Sequence, residues 1–223
     1  MLEQLVHRSG SLYEKYVLRV PRRSDAPYTT HLPVLIMLGQ VRRIERILEF
    51  GSGEYSTLAF TDKRIFPYLE ALDSYENDET WAEKMRVRLA GNERVRVRYC
   101  AARMSDVAEC IELDGYQLIF VDDSESWEER TKTIEVITSK EPMATVVIHD
   151  YEVKQYRKAA EGFRLKHRFA ALTPNTGVLS NERQFSRGPF RRLAKAIRED
   201  PAARSITQVD GWYRWIRGKE ERL

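Results

Sequence analysis

Cysteine is scarce in this chain: Cys100 and Cys110 are the only two among 223 residues, they form no CxxC pair, and no histidine stands near them at metal-ligand spacing. That pattern argues against a disulfide framework and suits a reducing, cytoplasmic setting with two free thiols. Long apolar runs are missing too. The longest, Leu32 to Leu38, falls far short of the roughly 18 residues needed to cross a bilayer, so no membrane association is expected. The first residues carry charged and polar side chains where a secretory signal would be apolar, so no signal peptide is expected either. Internal repeats and low-complexity segments are absent, which excludes solenoids and biased linkers.

What remains is a soluble globular composition, 42% hydrophobic and 32% charged, in a length that supports one well-buried core. A single domain over 1–223 is expected. The net charge of +3 names no partner, but it is unevenly placed. Residues 183–223 hold nine Arg and two Lys against two Asp and three Glu. A basic segment of this kind can hold an anionic substrate or nucleic acid, or can simply be a solvated helical face. Trp215, close to Arg214 and Arg217, keeps nucleic acid open as a partner.

Short β-rich runs alternate with helical stretches from Arg46 to Glu182, the pattern of a parallel sheet with crossover helices. Strands are predicted at Arg46–Phe50, Tyr68–Tyr75, Arg94–Tyr99, Tyr116–Val121 and Thr145–Ile148, and a closing hairpin at Arg164–Leu172 and Thr176–Ser180. The runs LIFV and TVVI are apolar throughout, as central strands covered on both faces require. RVRVRY alternates and belongs nearer a sheet edge. Helices are predicted at Ser56–Lys63, Asp78–Leu89, Ser105–Glu112, Ser126–Thr138 and Val153–Gly162, with Asp78 and Ser105 as N-caps. Three parts follow: an N-terminal helical lid over 1–43, a Rossmann-like core over 44–182, and a basic C-terminal extension over 183–223.

The first strand runs into Glu49-Phe50-Gly51-Ser52-Gly53-Glu54-Tyr55-Ser56. Two glycines one residue apart, between a strand and a helix, let the backbone turn sharply and approach a ligand. A dinucleotide fingerprint would place a third glycine at Ser56. An acidic residue before the glycines suits a ligand with a cationic amine, such as the amino-acid end of S-adenosylmethionine. The second strand ends in Asp73-Ser74-Tyr75-Glu76, where a carboxylate can accept both hydroxyls of a ribose. Glu76 is the first choice and Asp73 the second. Leu118-Ile119-Phe120-Val121 leads into Asp122-Asp123, and Val146-Val147-Ile148 into His149-Asp150-Tyr151-Glu152. Four strands thus end in carboxylates, and in an open parallel sheet those ends share one ligand-binding rim.

The series EFGSG, LDSYEND with Trp81 three residues on, LIFVDDS and VVIHDYE resembles class I S-adenosylmethionine-dependent methyltransferases. The likeness covers roughly 46–182, with a looser one at Thr30-His31-Leu32-Pro33. It implies a three-layer α/β Rossmann-like sandwich around a seven-stranded, mostly parallel sheet whose last strand is antiparallel. It also implies that Glu49, Gly51, Ser52 and Gly53 hold the methionine moiety, Glu76 the ribose, and Asp122 the region near the sulfonium. Two departures stand out: Tyr55 replaces a third glycine, and Ala101 occupies the place of an Asp that would accept from the adenine amine. Adenine would then rest on the backbone and apolar surface of Ala101 and Ala102.

Catechol-type members hold magnesium with an Asp after the fourth strand and an Asp-Asn pair after the fifth. Here Asp122 and Asp150 match, but the Asn position is Tyr151, whose phenol is a poor ligand for a hard cation. A divalent metal is therefore not the favoured expectation. Instead His149 or Asp150 is the expected base, with His31, Arg130 and Tyr151 on the substrate side. Arg130 is also readable as an exposed helical arginine. No Asn/Asp-Pro-Pro-Tyr/Phe motif follows the fourth strand, which argues against N-methylation of bases. A small-molecule acceptor, with oxygen as the methylated atom, is the reading carried forward. The competing readings are a cofactor-binding protein without catalysis and an NAD-type oxidoreductase.

Overall fold

The computed structural model describes residues 26–124, 126–182 and 186–199. After a 3₁₀ turn at Ala26–Thr29, the chain forms α1 (Leu32–Val41), β1 (Arg46–Phe50), α2 (Ser56–Thr61), β2 (Ala71–Glu76), α3 (Glu79–Arg88) and β3 (Val95–Tyr99). It continues as α4 (Met104–Cys110), β4 (Leu118–Val121), α5 (Trp127–Ser139), β5 (Thr145–Ile148), α6 (Lys154–Ala159), β6 (Leu165–Phe169), β7 (Thr176–Ser180) and α7 (Gly188–Glu199). The seven strands make one sheet in the order β3-β2-β1-β4-β5-β7-β6. The first five are parallel, and β7 runs antiparallel to both β5 and β6.

Alternation along the strands builds the three layers. Ile47, Leu118, Phe120 and Val147 face one apolar cluster, with Leu35 and Leu38 of α1, Phe60 of α2, and Phe190 and Ile197 of α7. Leu48, Ile119, Val121, Val146 and Ile148 face the other, with Ala108 of α4, Ile134 and Ile137 of α5, and Tyr156 of α6. β4 and β5 are buried along their whole length, as their apolar runs require. β3 lies at the edge with alternating burial, as RVRVRY predicts.

Several expectations are corrected. The part of the lid that is described, α1, is no cover: Leu32, Val34, Leu35 and Leu38 have no exposed surface and complete the core. A helix so apolar around its circumference belongs in a core layer. The remainder of the 1–43 segment up to 25, and the aromatic tail, lie outside the described residues. The basic segment contributes core as well, because Phe190, Ala194 and Ile197 of α7 pack inward. Ser105 is not an N-cap. The helix opens one residue earlier, with Arg103 in the cap position. Asp78 does cap α3, accepting from the Trp81 amide at 2.7 Å. No helix among the described residues is long and apolar enough to cross a membrane.

Candidate functional site

Register brings the acidic strand ends to one level. Phe50 pairs with Tyr75 on one side and Val121 on the other, and Val121 pairs with Ile148. The ladder continues one residue further: Gly51 N donates to Tyr75 O, Asp122 N to Phe50 O and His149 N to Val121 O. Gly51, Glu76, Asp122 and His149 therefore leave the sheet together along its carboxyl rim.

Gly51 takes φ +87°, and a Cβ there would lie 2.2 Å from the Asp122 carbonyl oxygen. Only glycine allows both the left-handed turn and that approach between β1 and β4. Glu49 is fully buried. Ser56 donates to its Oε1 at 2.6 Å, while Thr57 and Ser74 donate to Oε2 at 2.7 and 2.6 Å. Thr57 Oγ1 in turn accepts from Gly53 N at 2.8 Å. Burial raises the Glu49 pKa from 4.5 to about 7, against the lowering effect of the three hydroxyls. Glu49 thus ties the glycine turn to the start of α2 and to β2.

Glu76 closes the same turn from the other side. Its Oε2 accepts from Ser52 N at 3.0 Å, and its Oε1 from Asn77 N and Asp78 N at 2.8 and 2.9 Å. Burial raises its pKa despite these backbone bonds. Asp73 is turned elsewhere, accepting from Tyr116 Oη at 3.0 Å with Arg96 and Arg98 at 3.6 Å. Of the two, Glu76 lies beside the glycine turn. Trp81 adds a clasp, since its Nε1 donates to Ser52 O at 2.6 Å. Lys84 and Arg88 pair with Glu54 at 3.1 and 2.7 Å, joining α3 to the loop. Ala101 and Ala102 are exposed after β3.

The β4–β5 half is built on charge. Arg130 is only 5% exposed, which overturns its reading as a solvated helical arginine. It reaches Asp122 Oδ1 at 2.9 Å, Asp150 Oδ2 at 3.0 Å and Asp123 Oδ1 at 3.5 Å, and donates to Ser124 O at 2.5 Å. Asp123 also accepts from Thr133 Oγ1 at 2.6 Å. Asp150 holds φ +57°, a left-handed conformation uncommon for a non-glycine residue. His149 Nδ1 stands 3.2 Å from Asp122 Oδ2, and its Nε2 lies 3.0 Å from Thr30 Oγ1. Burial alone would lower the His149 pKa, yet Asp122 and Asp150 outweigh it and raise the value. Asp122 shows the converse. Burial would raise its pKa, but His149 and Arg130 hold it well below the usual carboxylate range.

His31 meets this cluster from the start of α1. Its ring centroid is 4.8 Å from that of His149, edge-on, and 4.9 Å from that of Phe120. Tyr151 is buried in the second core cluster against Gly177, and burial pushes its phenol up to about 12. Thr30, Asp123 and Ser74 were not singled out as site residues. Arg130 and Thr133, three apart on one face of α5, both reach Asp123, and that spacing is the signal that could have found Asp123.

The strand order and the antiparallel β7 make the three-layer Rossmann-like fold that the resemblance to class I methyltransferases implies. No family model matches the chain, and no curated protein matches it. Solved structures do. A chain of the fibrillarin/Nop5p complex is 16% identical over 69% of this chain and 82% of that one, with a TM-score of 0.48. The apo form of the S-adenosylmethionine-dependent methyltransferase SibL is 16% identical over 72% of this chain and 58% of its own, at 0.46. An O-methyltransferase family protein from Burkholderia thailandensis is 14% identical over 71% of this chain and 59% of its own, also at 0.46. The chain thus spans less than two thirds of the latter two proteins.

Proposed function

We propose that the protein is an S-adenosylmethionine-dependent methyltransferase acting on a small molecule, with oxygen as the acceptor atom. The observation that carries this reading is the alignment of Gly51, Glu76, Asp122 and His149 along one carboxyl rim of the sheet. The residues fit the cofactor. Glu76 uses three of the roughly four acceptor sites of a carboxylate and lies at the rim, which leaves capacity for a ribose hydroxyl. Gly51 to Gly53 present backbone without side-chain bulk, and Ala101 and Ala102 offer apolar surface after β3. Ser56, where a dinucleotide site would have glycine, spends its hydroxyl on Glu49, which disfavours the NAD reading.

When bound, the cofactor supplies an electrophilic methyl group. The chain's own task is positioning, together with removal of a proton from an acceptor hydroxyl. His149, set by Thr30 on one nitrogen and by Asp122 on the other, is the group placed for that proton. Asp150 acts through Arg130 as a positioning residue.

Isothermal titration tests the reading. S-adenosylmethionine and its demethylated product should bind with micromolar affinity, about −8 kcal/mol. Glu76→Ala should weaken that binding at least about tenfold, as expected for loss of a charge-assisted hydrogen bond. Absence of saturable heat with either ligand would overturn the proposal.

A further inference from the structure

His31 is 2% exposed, and neither of its ring nitrogens has a hydrogen-bond partner among the described residues. Leaving a buried imidazole unsatisfied costs free energy that a fold does not ordinarily spend without a return. As the residue before α1, His31 offers no side-chain cap bond to that helix. Among the described residues its nitrogens therefore take part in no hydrogen bond. They lie where a ligand would find them, beside His149 and Asp122.

We propose that His31, Asp122 and His149 bind a divalent transition-metal ion. One nitrogen of each ring and one carboxylate oxygen lie within 4.8 Å of one another. Ligand atoms about 2.1 Å from a shared ion sit roughly 3–4 Å apart, so a modest closing of the rings completes the set. Two imidazoles and one carboxylate suit zinc, iron(II), cobalt(II) or manganese(II), and do not suit magnesium or calcium, which prefer oxygen throughout.

The outer groups support the same assignment. The Thr30 hydroxyl engages His149 Nε2 and leaves Nδ1 toward Asp122. Arg130 holds Asp122 Oδ1 and leaves Oδ2 on the histidine side. Such partners orient metal ligands. The guanidinium opposes a cation, but Asp122, Asp123 and Asp150 surround it, so the cluster carries a formal excess of two negative charges. The Asp122 side chain is 25% exposed, which opens the group to the rim. This set differs from an Asp-Asp-Asn arrangement because His31 arrives from the other end of the chain, and Tyr151 takes no part. The site stands on its own geometry. Its use in the transfer rests on the methyltransferase reading: with His149 as a ligand, the ion would lower the pKa of the acceptor hydroxyl in place of the base role His149 has without metal.

The test uses chelator-stripped full-length protein titrated with cobalt(II), read by its visible d–d absorption and by equilibrium dialysis. One equivalent should bind and raise the unfolding temperature. His31→Phe and His149→Ala should each weaken binding at least about a hundredfold, while His167→Ala, away from the cluster, should leave it unchanged. His31→Phe removes the orphaned nitrogens, so without metal it should fold at least as stably as the parent chain. Binding that survives both substitutions, or no binding by the parent protein, would overturn the site. A protein that binds S-adenosylmethionine without binding cobalt would sink the metal site alone. One that binds cobalt but not the cofactor would sink the proposed function alone.

Discussion

The two halves of the rim bury carboxylates by opposite means. On the β1–β2 side, Glu49 and Glu76 are satisfied by neutral donors: three hydroxyls for the first and three backbone N–H groups for the second. On the β4–β5 side, Asp122, Asp123 and Asp150 meet a guanidinium, and Asp122 an imidazole as well. The pKa values record the difference. Glu49 is raised to about 7 by burial, whereas Asp122 is held low by His149 and Arg130 in spite of burial. Dipoles orient a carboxylate without cancelling its charge, so the first half shapes a loop and the second accumulates charge.

The comparison breaks most severely at Arg130. Arg130→Met removes a cation shared by three buried or half-buried carboxylates and should cost about 3–5 kcal/mol of stability in urea denaturation. An unchanged midpoint would show that the carboxylates do not depend on that guanidinium.

Glu49 sharpens the other half. The folded chain keeps the Glu49 proton over a range where the unfolded chain has lost it. Stability from this group is therefore fullest below pH 4.5 and declines as pH rises to about 7. The decline is on the order of 3 kcal/mol at about 1.4 kcal/mol per pH unit. Glu49→Gln, which cannot titrate, should lose that dependence. Denaturation series at pH 5 and pH 7.5 for the two proteins would measure it, and parallel pH profiles would refute it.

The smallest expected effect lies at the clasp. Trp81→Phe keeps the aromatic bulk and loses one N–H donor to Ser52 O, which should cost about 0.5–1.5 kcal/mol in the same assay. A larger loss would mean that α3, beyond the glycines and Glu49, holds the turn in shape.

Much of the fold was legible along the chain. The runs LIFV and TVVI announced central strands, RVRVRY an edge, and Asp78 a helix start. The site was less so. Arg130 sits in a helix that reads as amphipathic, and periodicity does not distinguish a buried arginine from a solvated one. Its partners Asp122 and Asp150 stand eight positions before it and 20 after it. Likewise the apolar run Leu32–Leu38 declared that α1 needs covering, without declaring that β1, β4 and α7 cover it.

By itself the sequence determined, to within one residue, where the five parallel strands end and which acids stand at those ends, because strand patterning and turn residues are local. Only the tertiary structure decided that Glu76 and not Asp73 faces the glycine turn, since alternate residues along β2 leave by opposite faces of the sheet. It also decided that Thr30 and His31 meet His149 across 119 and 118 positions. Contacts at that separation arise when α1 packs against the sheet, and the burial that drives the packing is a property of the assembled layers.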